Sequence, residues 1–448
     1  MKKTNTKANF SNRIGFVLAA AGSAVGMGNL WRFPYLAAKY GGGIFLLVYI
    51  ILAVTFGFSL MITEIAIGRK TGKSPLYAYG ELHPKFGFLG IAASAVPIII
   101  FPYYCVIGGW VIKYLTIYVT GQAGAAADDA YFGSFISNTA NPILCLFVFL
   151  FLTAAVVMFG VEKGIERVSR VMMPLLVLLA IGISIYSLTL DGALEGLVYY
   201  VKPDFSQFSI KTIIAAMGQL FYSMSLAMGI MITYGSYMRQ EDNLEASVRH
   251  IEIFDTAIAF LAGLMIIPSV FVFSGGSSEA LKQGPTLMFV MLPKVFNAMP
   301  GGILIGFVFF VLVLFAALTS AISLMETIVS IFMEKFHLGR KPVCLAVFIA
   351  SFLLALPSTL GYGVLSNVTI FGYQILDFFD FISNNIAMPI VALLTAILIG
   401  YAVRPEAVID EVEKNGIFRS KKLYVYMIRF VVPLCMIIIL ISSLFGIV

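Results

Sequence analysis

The chain has 448 residues, 60% of them hydrophobic and 12% charged, with a formal charge of +6 from 29 Lys plus Arg against 23 Asp plus Glu. An average soluble domain carries about 45–50% apolar and about 25% charged residues, so a water-soluble enzyme or DNA-binding module is excluded. A mean hydropathy of +0.97 identifies a polytopic membrane protein, whose excess basic residues belong in cytoplasmic loops rather than on a nucleic-acid surface.

The amino terminus, MKKTNTKANFSNR, is polar and basic and runs into an apolar stretch without a small-residue cleavage site, as an uncleaved first span does. A spanning helix needs about 20 mainly apolar residues. Eleven such stretches follow, near residues 14–36, 43–68, 88–119, 142–160, 168–190, 210–237, 252–275, 300–333, 343–361, 367–401 and 423–447. They predict an all-α membrane protein of 11 transmembrane helices in one domain over residues 1–448, with no separate soluble domain between spans. The amino terminus and the loops after spans 2, 4, 6, 8 and 10 carry 21 Lys plus Arg, against six in the other connections. The amino terminus is therefore predicted to be cytoplasmic and the carboxyl terminus extracellular. Cys105, Cys145, Cys344 and Cys435 lie far apart in apolar runs and read as packing residues. His83, His250 and His337 stand in polar segments without a second ligand at metal-binding spacing.

Span 1 contains, between Gly22 and Asn29, three glycines, a serine and an asparagine where hydrocarbon thickness favours Leu and Ile. Each glycine weakens a helix by about 1 kcal/mol relative to alanine, so this segment is a weak point. On span 1 alone, helix packing through the Gly22–Gly26 pair explains it equally well. Span 6 repeats the pattern with Gly218, Ser223, Ser225 and Gly229. Two interrupted spans at matching places are the signature of a transporter with inverted repeats, here about residues 10–190 and 210–400, with an extra helix at 423–447. Unwound backbone in a bilayer is tolerated where it lines a cavity, and its freed carbonyls suit a cation. Glu64, Asp255 and Glu326 also fall within apolar runs and need partners. For Asp255 these are a bound cation or, as a protonated carboxyl, a neighbouring helix. Thr319 and Ser320 bring hydroxyls into span 8, which lone Thr-Ser pairs often turn back onto the preceding turn.

The string GSAVGMGNLWRFP closely resembles the first-helix signature of the neurotransmitter:sodium symporters, the solute-carrier-6-like family that includes bacterial amino-acid transporters. GGGIFLLVY before span 2, PYYCVIGGW in span 3, GQLFYSMSLAMG in span 6 and FAALTSAIS in span 8 continue the match in order. VEKGIERVSRVMMP adds Gly164 and Pro174 at a spacing that the family associates with unwinding of helix 5 towards a sodium site. The resemblance implies a LeuT-like fold of 5+5 inverted repeats with helices 1 and 6 broken. It implies a first sodium site from the Ala24 carbonyl, Asn29, Ser223, Asp255 and the substrate carboxylate. A second would use the carbonyls of Gly22, Val25 and Ala316 with the hydroxyls of Thr319 and Ser320. These are hard oxygen ligands, as a hard cation requires. Because Asp255 stands where many members have Asn, and Ala259 replaces a glutamate that some bacterial relatives carry, transport is expected not to need chloride.

By the same resemblance, Gly26 replaces the aspartate of amine carriers, so a ligand bearing its own carboxylate is expected. That carboxylate would meet Tyr104 and the Gly28 region, and the ammonium the carbonyls of Ala24, Tyr222 and Ser223. The side-chain pocket would comprise Ser23, Met27, Ile100, Ser225, Met228, Ser320 and Leu324. Arg32 and Asp380 match the family's outer gate, with Asp377 a competitor, and Tyr104 and Tyr222 form a lid. Lys7 or Arg13 would pair with Glu334 at the inner gate. Many members have twelve spans, one more than expected here. The function implied is no enzyme but sodium-coupled symport of a neutral, hydrophobic or aromatic L-amino acid into the cell by alternating access, with two sodium ions. Alternatives are the same fold carrying a small amino acid, betaine or an amine, and a sensor that binds without transport.

Overall fold

The computed structural model of the chain describes residues 9–274 and 287–445, and among them every regular element is a helix. Asn12 opens α1 (Arg13–Ala24), its side-chain oxygen accepting the Gly15 N–H at 2.9 Å. Twelve residues of α1 rise about 18 Å, roughly half of a bilayer, before the helix stops. The chain resumes as α2 (Gly28–Lys39), bent by 51° from α1. Four continuous helices follow, α3 (Gly43–Thr71), α4 (Pro84–Val119), α5 (Ala140–Met158) and α6 (Val161–Leu188). A second interrupted passage comprises α7 (Ile210–Ser223) and α8 (Ile230–Tyr237). Then come α9 (Leu244–Phe273), α10 (Gly302–Phe336), α11 (Arg340–Leu360), α12 (Ile375–Ala402), the short α13 (Glu406–Glu413) and α14 (Lys421–Leu444).

Among the described residues nine helices are long and apolar enough to cross a membrane, and the bent pair α1–α2 makes ten. The stretch expected as an eleventh, 210–237, is divided by residues 224–229 into helices of 14 and 8 residues, each too short to cross alone. The sequence places Gly218 among the residues of this break, but it lies inside α7.

Packing brings the two breaks together. α1 rests on α6, α9 and α10, while α8 rests on α3, and α4 packs along α10. Small residues permit these approaches. A Cβ on Gly235 would stand 2.3 Å from the Ile65 carbonyl oxygen, and one on Gly68 2.0 Å from that of Ile232. Outward faces carry exposed Phe151, Leu178 and Ile185, as a multi-pass membrane protein requires. The Gly164–Pro174 stretch is helical throughout and begins within the π-wide first turn of α6 (Val161–Glu166), so the expected unwinding is not formed in this structure. All four cysteines are free thiols.

Candidate functional site

The end of α1 leaves carbonyls without intrahelical partners, the Val25 N–H closing only on Ala21. Ser23 O accepts from Ser225 Oγ and Ser320 Oγ, both at 3.0 Å. Past the break, Asn29 Oδ1 accepts the Gly26 N–H at 3.1 Å, and Gln219 Nε2 donates to Gly28 O at 2.9 Å. In the second break Ser225 and Ala227 adopt φ of 54° and 58°, a left-handed conformation that side chains other than glycine rarely take. Glu64 on α3 supports it, for its Oε1 accepts the Ala227 N–H at 2.7 Å in a fully buried setting. Glu64, noted in the sequence as an intramembrane carboxylate in need of a partner, finds one in backbone 163 residues away.

Asp255 on α9 is completely buried behind both breaks. Its Oδ1 accepts from Asn29 Nδ2 at 2.8 Å and from Ser223 Oγ at 2.7 Å, and its Oδ2 from the Tyr49 hydroxyl at 3.1 Å. Three residues assigned to the first sodium site, Asn29, Ser223 and Asp255, thus form one hydrogen-bonded group, and Ala24 lines the adjoining cavity. Tyr49 was missed as a member, although it closes the GGGIFLLVY string. Of the second set, Gly22 and Val25 lie at the end of α1 and Ala316, Thr319 and Ser320 on α10. A Cβ on Gly22 would be 3.2 Å from Thr319 Cβ. Thr319 Oγ1 turns back onto Phe315 O (2.9 Å) and Ala316 O (3.1 Å), the local bonding common for hydroxyls in membrane helices, which leaves its lone pairs open.

A narrow cavity lies between the breaks. Ser23, Ala24, Gly26, Met27, Gly28, Ile100, Tyr104, Tyr222, Ser223, Ser225, Met228, Ser320 and Leu324 all line it, joined by Asn29 and by Ile230, which the sequence did not single out. A Cβ on Gly26 would be 2.7 Å from Ser320 Oγ, so a side chain there would occupy the cavity. Among the described residues the Tyr104 hydroxyl is buried without a hydrogen-bond partner, a donor open to a ligand.

In the pair expected as the outer gate, the Arg32 guanidinium lies over the Tyr222 ring at 5.4 Å rather than on Asp380. Asp380 instead accepts from Asn384 Nδ2 at 2.7 Å, and Asp377 from the Tyr362 hydroxyl at 3.3 Å. The inner pairing expected of Arg13 and Glu334 is not formed. Arg13 begins α1, which packs on α9, and its Nε donates to Ser247 Oγ at 3.1 Å while a terminal nitrogen sits 3.2 Å from His250 Nδ1. Glu334 faces the α3–α4 connection, 3.3 Å from Lys73 Nζ and accepting the Ser74 N–H at 2.8 Å. Lys7 lies outside the described residues.

Neighbours of these residues pack the amino-terminal end of α1 against α6 and α8. Phe10 is buried against Phe16, Tyr234 and Tyr237, and its N–H donates to Tyr237 O at 3.1 Å. Ser11 N–H donates to Glu166 Oε2 at 2.8 Å, and Arg170 reaches both Glu166 (2.5 Å) and Ser11 Oγ (2.8 Å). Glu326, the third intramembrane carboxylate, holds Arg340 through two contacts of 2.5 and 2.9 Å and accepts the Tyr237 hydroxyl at 2.9 Å.

The model of the sodium:neurotransmitter symporter family matches residues 7–128 and 130–447. An uncharacterized sodium-dependent transporter of Bacillus subtilis, YhdH, is 38% identical to this chain, the match covering 97% of each. Another uncharacterized sodium-dependent transporter, from Haemophilus influenzae, is 35% identical over 99% of this chain and 100% of its own. The crystal structure of MhsT in complex with L-phenylalanine is similar at a TM-score of 0.88 and 37% identity, covering 98% of this chain and 100% of that one. Two broken helices meeting at a buried cavity, within a chain matched almost end to end, lead to one assignment: the protein is a membrane transporter, not an enzyme, and belongs to the sodium:neurotransmitter symporter family.

Proposed function

We propose that the protein carries a neutral, hydrophobic or aromatic L-amino acid into the cell together with two sodium ions, by alternating access and without chloride. The observation that carries this reading is the sorting of polar atoms around one cavity. Orphan carbonyls end α1, the Tyr104 donor stands free, and Asp255 supplies a buried charge with no cationic side chain among its hydrogen-bond partners. The substrate carboxylate takes the Tyr104 hydroxyl and completes the first sodium site with Ala24, Asn29, Ser223 and Asp255. The ammonium takes the carbonyls of Ala24, Tyr222 and Ser223. The second sodium sits among Gly22, Val25, Ala316, Thr319 and Ser320. Ile100, Met228 and Leu324 hold the side chain, with methionine as an adaptable filler. MhsT, similar over the whole chain, was crystallised with L-phenylalanine, which supports an aromatic ligand.

Alternating access is assigned to a single domain of two inverted repeats, with the amino terminus cytoplasmic and the carboxyl terminus outside. Sodium binding favours the state in which both breaks are ordered, because a ligand shifts a population only through differential affinity. Two sodium ions crossing 100 mV supply about 4.6 kcal/mol, enough for a gradient of roughly 10³. Inward release requires Ser11, Glu166 and Arg170 to part, with unwinding of Gly164–Pro174 opening the route to the second sodium. The test is binding of a panel of radiolabelled amino acids to purified protein, with and without sodium and then chloride. Sodium-dependent, chloride-independent binding of a hydrophobic member is expected. Binding indifferent to sodium would refute the shared site.

A further inference from the structure

Residues 361–374, which join α11 to α12, carry no charged side chain. By the alternation of spans, the α4–α5 and α6–α7 connections lie on the same side, and these carry Asp128, Asp129, Asp191 and Asp204. Within the uncharged connection the Ile370 N–H donates to Tyr373 O at 2.9 Å and the Tyr373 N–H to Ile370 O at 3.0 Å, closing a two-residue hairpin turn. Both central residues have positive φ, Phe371 at 50° and Gly372 at 85°. Such a turn favours Gly, Asn and Asp, and a bulky ring is strained there. Phe371 is nonetheless 90% exposed, so burial within the described protein does not offset that strain. Its ring meets Phe378 at 6.1 Å, and Tyr373 stacks on Phe381 at 5.1 Å, which mounts the turn on α12.

The height of the turn follows from α11. Its 21 residues rise about 31 Å, close to the thickness of the hydrocarbon layer, about 30 Å. The connection after Leu360 therefore starts at the boundary between hydrocarbon and headgroups. The outward stripe of α11, with Leu345, Ile349 and Leu353 exposed, continues into exposed Val364 and Val368 of the connection. An exposed apolar patch continuous with a lipid-facing stripe marks a surface that meets lipid rather than water. We propose that the Ile370–Tyr373 turn is a bilayer anchor, its Phe371 ring entering the leaflet at this end of α11 just below the phospholipid headgroups. Tyr373 stands at headgroup level, where aromatic rings gather because an apolar body and a polar tip both find their medium. Acyl chains then cover the ring that the protein leaves bare, and this burial holds Phe371 in its left-handed conformation. The anchor is independent of which ligand the central cavity takes.

The experiment is spin-label accessibility in the full chain, one copy per phosphatidylcholine–phosphatidylglycerol nanodisc. A nitroxide is attached at Phe371→Cys, at Leu353→Cys as the lipid-facing reference and at Asp191→Cys as the water-facing one. The unaltered chain, whose cysteines are buried or half-buried, gives the background. Oxygen concentrates in hydrocarbon and a polar nickel complex stays in water. The oxygen-to-nickel collision ratio at Phe371→Cys is expected to approach that at Leu353→Cys and to exceed that at Asp191→Cys at least about tenfold, since hydrocarbon excludes a polar complex. A ratio equal to that at Asp191→Cys places the turn in water and overturns the proposal. Low collision rates with both reagents place it under protein, a second copy or another partner, and overturn it as well. Phe371→Trp repeats the test with a ring close to the native one. Brominated phospholipid is expected to quench it beyond the emission of Trp31 and Trp110 in the unaltered chain, and unchanged quenching overturns the anchor.

Discussion

Replacing Glu64 by alanine removes the acceptor that holds the second helix break in its cavity-lining shape. The Ala227 N–H, now 2.7 Å from Glu64 Oε1, would be left buried without a partner, at about 1–3 kcal/mol. Ser225 and Ala227 already hold left-handed φ angles that cost about 1–3 kcal/mol each and persist only while their surroundings impose them. A net loss of about 1.4–2.8 kcal/mol would cut the ligand-competent population ten- to a hundredfold, and apparent affinity falls by the same fraction. Glu64→Gln keeps an acceptor at the same reach and should retain most of the affinity. The assay is equilibrium binding of a radiolabelled hydrophobic amino acid in saturating sodium, with melting temperature as the control for folding. Affinity of Glu64→Ala within twofold of the parent would refute the reasoning, and so would Glu64→Gln losing as much as the alanine variant.

Asp255→Asn keeps an acceptor for Asn29 and Ser223 but removes the only full charge in that hydrogen-bonded group. Two unit charges about 4 Å apart interact by about 4 kcal/mol at an effective dielectric near 20, and the retained hydrogen bonds return part of this. The sodium concentration for half-maximal binding should rise about a hundredfold, with added chloride restoring part of it; an unchanged sodium titration would contradict this. Glu166→Gln weakens the tie between Ser11 and α6, whose carboxylate is 2% exposed and shared with Arg170. Hydrogen exchange at the Phe10 and Ser11 amides should quicken about tenfold, the effect of about 1.4 kcal/mol on local opening, and unchanged protection would refute the role of Glu166 in holding this segment.

Some features were legible because they depend on composition along the chain. Apolar runs of spanning length announce membrane helices, since each backbone must satisfy its own hydrogen bonds in lipid. Glycine, serine and asparagine in the middle of span 1 mark a break because hydrocarbon gives no other reason for them, and the structure breaks that helix between Ala24 and Gly28. The thirteen residues set out for a substrate pocket meet in one cavity because the motifs that carry them follow one family's order. In span 6 the composition marked the interruption but misjudged its extent, as Gly218 stays helical, with open space where a side chain would stand.

Partners across the chain were decided only by the tertiary structure. Glu64 meets Ala227, Glu166 meets Ser11, and Arg13 meets Ser247 rather than Glu334, at separations of 163, 155 and 234 residues. A sequence shows that a buried carboxylate or arginine needs a counterpart, because an isolated charge in hydrocarbon is prohibitive. Which counterpart it meets depends on the rotation and tilt of packed helices. A hydrogen bond is lost over a displacement of about 1 Å, far finer than any periodicity of apolar residues can specify.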